Sequence, residues 1–269
     1  MISWIGGKSQ ISKWIIPYIP TDIETYCEPF SGAFWVYLKM DLASYPNLKK
    51  IVYNDFNDYL VNLFMSSKDH QNFHKFSLGY KSQDKNLFLD FQRRLFTDKE
   101  EYQMPDFDRA VGFAYLATQT WSGISPSTGK FIDLKGKYRS KFDTFRDKLK
   151  NDKYTHNLSR ITDFENLDFQ DVIIKYDNKD AFFYIDAPYH LTEHYYSNHE
   201  FGGDDHERLA NCLKSIKGRF AMSYYYFDKL EKWFPKNEFK WEIQEFNKAA
   251  MATKGKSQTK GMEILIMNY

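Results

Sequence analysis

Cysteine is scarce: Cys27 and Cys212 are the only two in 269 residues and fall in no CxxC or Cys/His spacing. That argues against a disulfide framework and against a structural zinc site, and it predicts a metal-free chain of the reducing cytoplasm. Net charge is nearly absent, with 37 Lys plus Arg against 36 Asp plus Glu. The molecule is therefore no polycation gripping nucleic acid indiscriminately, and any basic surface must be local. No apolar stretch approaches the roughly 18 residues needed to span a bilayer. The opening Met1-Ile2-Ser3-Trp4 lacks a basic region followed by an apolar one, so a soluble, unprocessed chain is expected. Internal repeats and low-complexity tracts are also missing. Aromatic residues, by contrast, are abundant at 19% (24 Phe, 20 Tyr, 6 Trp). This raises stacking on flat ligands as a hypothesis, although an AT-rich genome would enrich Phe and Tyr as well. A hydrophobic fraction of 42% excludes disorder as the main state and suits one large α/β domain with room for an inserted module.

Strands ending in chemically odd loops set the organisation. Glu24-Thr25-Tyr26-Cys27 runs into Glu28-Pro29-Phe30-Ser31-Gly32-Ala33, after which Phe34-Trp35-Val36-Tyr37-Leu38 begins a buried helix. Lys50-Ile51-Val52-Tyr53 ends at Asn54-Asp55, and Asn57 is placed to cap a helix carrying Leu60, Leu63 and Phe64. Ala181-Phe182-Phe183-Tyr184-Ile185 reads as a central strand buried on both faces and stops at Asp186-Ala187-Pro188-Tyr189. A helix from near Asp205 leads to the strand Arg219–Ser223, and Lys240–Ile243 pairs as a hairpin with the closing Glu263–Met267. The alternation predicts a largely parallel α/β sheet with helices on both faces and an antiparallel C-terminal hairpin.

Residues 61–154 break that rhythm and divide the chain into 1–60, the insertion 61–154, and 155–269. Helical segments at Asn86–Phe96 and Arg109–Thr120 precede a turn-rich stretch, 121–130, that resembles a hairpin tip. Lys135-Gly136-Lys137-Tyr138-Arg139-Ser140-Lys141 then places four cations among seven residues. This is either a basic nucleic-acid-facing segment or an ordinary solvated loop.

In an open parallel sheet, ligands bind where loops leave the carboxyl ends of strands, so Glu28–Ala33, Asp55 and Asp186–Tyr189 should converge on one crevice. Asp55 has the place of a carboxylate accepting from a ribose diol, its alternative being a helix cap. Trp4-Ile5-Gly6-Gly7-Lys8-Ser9 is no phosphate loop, because the required earlier glycine is Ile2. Its glycine pair still lets backbone approach a ligand while the lysine meets a carboxylate or phosphate. In Asp186-Ala187-Pro188-Tyr189, the carboxylate and the following carbonyl offer two acceptors for the two hydrogens of an exocyclic amine, and the tyrosine offers a stacking face. A purely structural turn is the alternative.

Together, Trp4–Lys8, Glu28–Ala33, Tyr53–Asp58, Asp186–Tyr189 and Glu263–Tyr269 resemble the Dam-type DNA adenine methyltransferases of bacteria and phages, with five blocks in family order. The resemblance implies a Rossmann-like methyltransferase sheet, S-adenosylmethionine as methyl donor, and methylation of the N6 amine of adenine in double-stranded DNA. It further implies base flipping and a target recognition domain inserted between the methionine-binding and catalytic motifs. Carried over by position, the cofactor-binding residues are Trp4, Gly7, Lys8, Glu28, Phe30, Gly32, Asp55 and Asp186, with Asp168-Phe169 resembling a pair that contacts the cofactor adenine. The catalytic residues are Asp186, Ala187, Pro188 and Tyr189. Trp121, Lys137, Tyr138 and Arg139 are the expected DNA contacts. Three features depart from the family pattern. Ala187 replaces a proline, Phe34 replaces a glycine of the first motif, and Phe131–Tyr138 stands where the family has Asn-Val-Pro-Phe-Gly. These departures keep two alternatives open, a catalytically impaired DNA-binding protein and an RNA adenine methyltransferase; a restriction nuclease as partner is left undetermined.

Overall fold

The computed structural model describes Ile2 and residues 7–98, 101–120, 126–190, 201–247 and 260–269. Trp4 and Trp121, both expected to bind ligand, lie outside the described residues. Among the described residues, seven strands form one sheet: β1 (Thr25–Glu28), β2 (Lys50–Asn54), β3 (Asp163–Glu165), β4 (Ala181–Ile185), β5 (Arg219–Tyr224), β6 (Lys240–Asn247) and β7 (Lys260–Met267). Their order is β3-β2-β1-β4-β5-β7-β6. The first five run parallel, and β7 is antiparallel to both β5 and β6. The chain winds outward from β1 through β2 to β3, then restarts on the other side with β4. The order reverses between β1 and β4, which opens a crevice at their carboxyl ends.

The uninterrupted apolar run of β4 follows from helices covering both faces. Phe182 and Tyr184 pack with Tyr26 and Leu265, whereas Phe183 and Ile185 face Cys27, Val52 and Val172. Both cysteines are free and buried. Asn57 caps the Asp58–Lys68 helix as expected, its side chain accepting from Tyr59 N at 3.1 Å and Leu60 N at 3.3 Å. Asp55 is not the cap; it braces the capping residue by accepting from Asn57 N at 2.9 Å.

Two expectations about the intervening region change. The segment Asn86–Phe96 is an α-helix only to Gln92 and continues as a π-helical turn, Arg93–Thr97. Residues 126–130 form a turn with no flanking strand among the described residues. There the Gln92 amide donates to Pro126 O at 3.0 Å and Gly129 O at 2.9 Å, replacing a ladder. The cut points 60/61 and 154/155 fall within the helices Asp58–Lys68 and Asp152–Ser159. Phe73, Phe88, Phe113 and Phe142 of the intervening helices join the same apolar cluster as Tyr26, Tyr37 and Tyr53 of the sheet side. The short edge strand β3 carried no periodic signal in its three residues.

Asn54, at the end of β2, ties three loops at the crevice. Its Nδ2 donates to Pro29 O at 2.7 Å and to Leu167 O at 3.1 Å, and its Oδ1 accepts from Leu167 N at 3.0 Å. Asn54→Ala would leave these backbone groups unpaired in a buried position, where each costs about 1–3 kcal/mol. The expected result is a loss of roughly 2–4 kcal/mol of stability, measured by urea unfolding. A loss within about 0.5 kcal/mol would contradict the assignment, because that is the range of an unremarkable surface change.

Candidate active site

The loop after β1 is built around two left-handed residues. Gly32 has φ 49°, a conformation glycine adopts without steric cost. Its amide donates to Asp55 Oδ2 at 2.8 Å, and its carbonyl accepts from the Tyr53 hydroxyl at 2.8 Å. Phe34, which replaces the family's second glycine, keeps a left-handed backbone as well, with φ 56° and ψ 31°. Its ring turns into the core, 4.7 Å from Tyr37 and 5.1 Å from Tyr53 between centroids. Packing against this aromatic cluster offsets the backbone strain of about 1–2 kcal/mol. The loop geometry is thus retained without the glycine, and the side chain lies away from the crevice.

Glu28 closes β1 fully buried, its Oε1 accepting from the Tyr26 hydroxyl at 2.6 Å and Tyr37 N at 3.2 Å. Burial pushes its carboxyl well above the usual range, against the opposing pull of these two donors.

At the end of β4, Asp186 Oδ1 meets Lys8 Nζ at 2.6 Å, and the same ammonium lies 3.5 Å from Glu263 Oε1 and 4.7 Å from the centroid of the Tyr189 ring. The Lys8 and Glu263 side chains are closed off, while 18% of the Asp186 side chain stays open. Burial raises the pKa of both Asp186 and Glu263, with Lys8 opposing in each case. The Tyr189 hydroxyl donates to Glu263. The turn itself is pinned from β5: the Tyr224 hydroxyl donates to Pro188 O at 3.3 Å, accepts from His190 N at 3.1 Å, and contacts His206 Nδ1 at 2.5 Å. This tie supplies restraint where Ala187 lacks a proline ring.

A cavity of about 200 Å³ opens beside the turn, lined by Pro29, Phe30, Leu167, Asp168, Phe169 and Pro188, among others. Phe30 stacks on Phe169 at 5.3 Å. Asp168 caps the Phe169–Tyr176 helix and pairs through both oxygens with Arg208, at 2.7 and 2.8 Å. The Arg208 guanidinium lies 4.1 Å from the Phe169 ring centroid. The sheet therefore gathers Lys8, Glu28, Gly32, Asp55 and Asp186–Tyr189 at one end, with Phe30, Asp168 and Phe169 lining the adjoining pocket and Gly7 exposed beside Lys8. Of the expected DNA contacts, Tyr138 is 75% exposed, Arg139 pairs with Asp147 at 2.5 Å, and Lys137 is exposed in a turn whose Lys135 and Gly136 have positive φ.

Sequence reasoning missed Asn54, Glu263, Tyr224, His206 and Arg208 as contributors. Glu263 carried a signal, a carboxylate in an otherwise apolar closing strand. The others meet the site only through the fold. No group of three or more metal-ligating side chains occurs among the described residues.

A sheet reversing between β1 and β4, with β7 antiparallel beside β5 and an Asp-Ala-Pro-Tyr turn at the end of β4, is consistent with a methyltransferase fold. The family comparison makes that assignment specific: the model of the D12 class N6 adenine-specific DNA methyltransferases matches residues 4–250, and the chain belongs to that family. It is 27% identical to the Type II methyltransferase M1.LlaDCHI of Lactococcus lactis subsp. cremoris, over 99% of this chain and 94% of that protein. It is also 27% identical to a DNA adenine methylase of Haemophilus influenzae, over 82% and 76% of the two chains. A third relative, the Type II methyltransferase M.CviBI of Paramecium bursaria Chlorella virus NC1A, is 24% identical over 82% and 81%. The protein is an N6-adenine DNA methyltransferase.

Two predictions test the site's construction. Because Phe34 is left-handed, Phe34→Gly should be about 1 kcal/mol more stable than Phe34→Ala, the reverse of the usual order. Urea unfolding of the pair decides this, and equal or inverted stabilities would remove the strain. Because folding raises the pKa of Glu28, the folded state holds its proton more tightly than the unfolded chain. Stability from this group is full below the ordinary glutamate value of about 4.3 and declines as pH rises from there toward the raised native value. Glu28→Gln should flatten that decline in thermal melts taken upward from the ordinary glutamate value of about 4.3, and an unchanged slope would refute it.

Proposed function

We propose that Asp186, the Ala187 carbonyl and Tyr189 present the adenine amine for methylation, with S-adenosylmethionine as donor and double-stranded DNA as substrate. The observation that carries this reading is the partly open Asp186 carboxylate, beside Tyr189, at the point where the sheet reverses. When bound, S-adenosylmethionine supplies a sulfonium-linked methyl group. The donor set suits it. The cavity is sized for a planar base rather than a whole drug-sized ligand, and its Phe30, Phe169 and Asp168 offer apolar faces and an acceptor. Asp55, which accepts from Gly32 N and Asn57 N at the end of β2, would meet a ribose hydroxyl. Lys8, Gly7, Glu28 and Gly32 would surround the amino-acid end, within an excess of buried carboxylates that favours a cationic ligand.

Accepting both amine hydrogens, at Asp186 and at the Ala187 carbonyl, would withdraw the nitrogen lone pair from the ring and free it to attack. The surplus proton of the methylated amine would pass to the Asp186 carboxylate. Its raised pKa suits that acceptance. The amine is hidden in duplex DNA, so the base must leave the stack, at a cost of a few kcal/mol. Lys137, Tyr138 and Arg139 in the 61–154 region would hold the DNA meanwhile. Kinship with Type II methyltransferases supports a place beside a restriction nuclease, and a cytoplasmic location agrees with access to DNA; no described helix is long and apolar enough to cross a membrane.

Asp186→Ala should lower transfer of tritiated methyl groups to unmethylated DNA by about 100-fold or more, with the melting transition retained. Turnover above about a tenth of wild type would overturn the assignment, being far from the roughly 100-fold that acid–base groups contribute.

A further inference from the structure

We propose that Glu263, on the closing strand β7, is a positioning residue for methyl transfer: it anchors the Tyr189 hydroxyl and so sets the plane of the ring on which the target base stacks. This rests on the active-site reading above. Glu263 is 1% exposed on a strand whose Leu265 and Met267, at the same alternation, are buried in the apolar core. A carboxylate there is costly unless it is paired. Its two partners are unequal. Lys8 lies 3.5 Å away and is held more closely by Asp186, at 2.6 Å. The Tyr189 hydroxyl, in contrast, donates directly to Glu263 Oε1. Lys8 already has a nearer carboxylate, so neutralising it does not require Glu263, whereas the buried Tyr189 hydroxyl, which also bonds Asp186, is tied to β7 only through Glu263.

The Tyr189 ring also meets the Lys8 ammonium, the Tyr225 ring at 4.4 Å and 65°, and the Tyr224 ring at 5.1 Å and 40°. A hydroxyl tied to β7 pins the far end of the ring, while the backbone turn pins the near end through Tyr224. The catalytic turn after β4 is thereby referenced to a strand two positions across the sheet. The same contact explains a use for tyrosine at a position where stacking alone needs only an aromatic face.

The test is steady-state methyl transfer to unmethylated bacterial genomic DNA with tritiated S-adenosylmethionine. Tyr189→Phe removes the hydroxyl, and with it the bonds to Glu263 and to Asp186. Glu263→Gln keeps a carbonyl acceptor but removes the charge, and Glu263→Leu removes both. Tyr189→Phe and Glu263→Leu should each lower kcat about tenfold, the scale of one charge-assisted hydrogen bond, with KM for S-adenosylmethionine changed less than about twofold. Glu263→Gln should stay within about threefold of wild type, and the Tyr189→Phe/Glu263→Leu double variant should be no slower than Tyr189→Phe, because Glu263 acts only through that hydroxyl. Wild-type kcat in Tyr189→Phe, multiplied losses in the double variant, or a Glu263→Gln as slow as Glu263→Leu would each overturn the proposal. Should Glu263→Leu fail to fold, Glu263→Met, which likewise offers no oxygen acceptor, takes its place in each comparison. An active Asp186→Ala control would sink the active-site reading itself, whereas an inactive control with a wild-type Tyr189→Phe would sink only the role of Glu263.

Discussion

The buried ammonium of Lys8 is the contact on which the rest of the site depends. It joins three distant parts of the chain: the opening segment, the turn after β4, and the closing strand β7. One cation faces two carboxylates in a closed environment, so desolvation works against ionising both, and their pKa values rise accordingly. The arrangement is poorly suited to stability for its own sake.

Around that centre, backbone groups rather than charges do most of the holding. Asn54 knits the loops after β1 and before the Phe169–Tyr176 helix, Asp55 pins Gly32, and Tyr224 restrains the backbone on both sides of Tyr189. The departures from the family's motifs are absorbed in this way. Phe34 keeps the left-handed backbone and sends its ring inward, so the loop has the shape a glycine would give it. Ala187 lacks the proline ring, but its neighbour is tied to β5. Neither substitution places a bulky group in the crevice, and both are compatible with an active enzyme.

The abundance of aromatic residues has two separate causes in the structure. Much of it is core: Tyr26, Tyr37, Tyr53, Phe34 and Phe64 form one continuous cluster beneath the first loop. A smaller part lines the ligand pocket, at Phe30, Phe169 and Phe201. Composition alone could not separate these, because a ring packed in a core and a ring facing a flat ligand satisfy the same hydrophobic demand.

The sequence by itself determined the parallel sheet, the antiparallel closing hairpin and the loops that carry the chemistry. A central strand buried on both faces has to read as an apolar run, and the glycine, proline and acidic residues that end such runs are local signals. Asp55, Asp186 and Tyr189 were legible because each ends a strand or follows one directly. Only the tertiary structure decided what these residues touch. Asp55 could be the helix cap until Asn57 was seen to hold the helix, and Phe34 could face crevice or core until its φ and neighbours were known. Glu263 and Tyr224 became part of the site because β7 slots in beside β5, which brings residues 74 and 36 positions from the catalytic turn into contact with it. Such pairings depend on strand order, which leaves no mark within any local stretch of sequence.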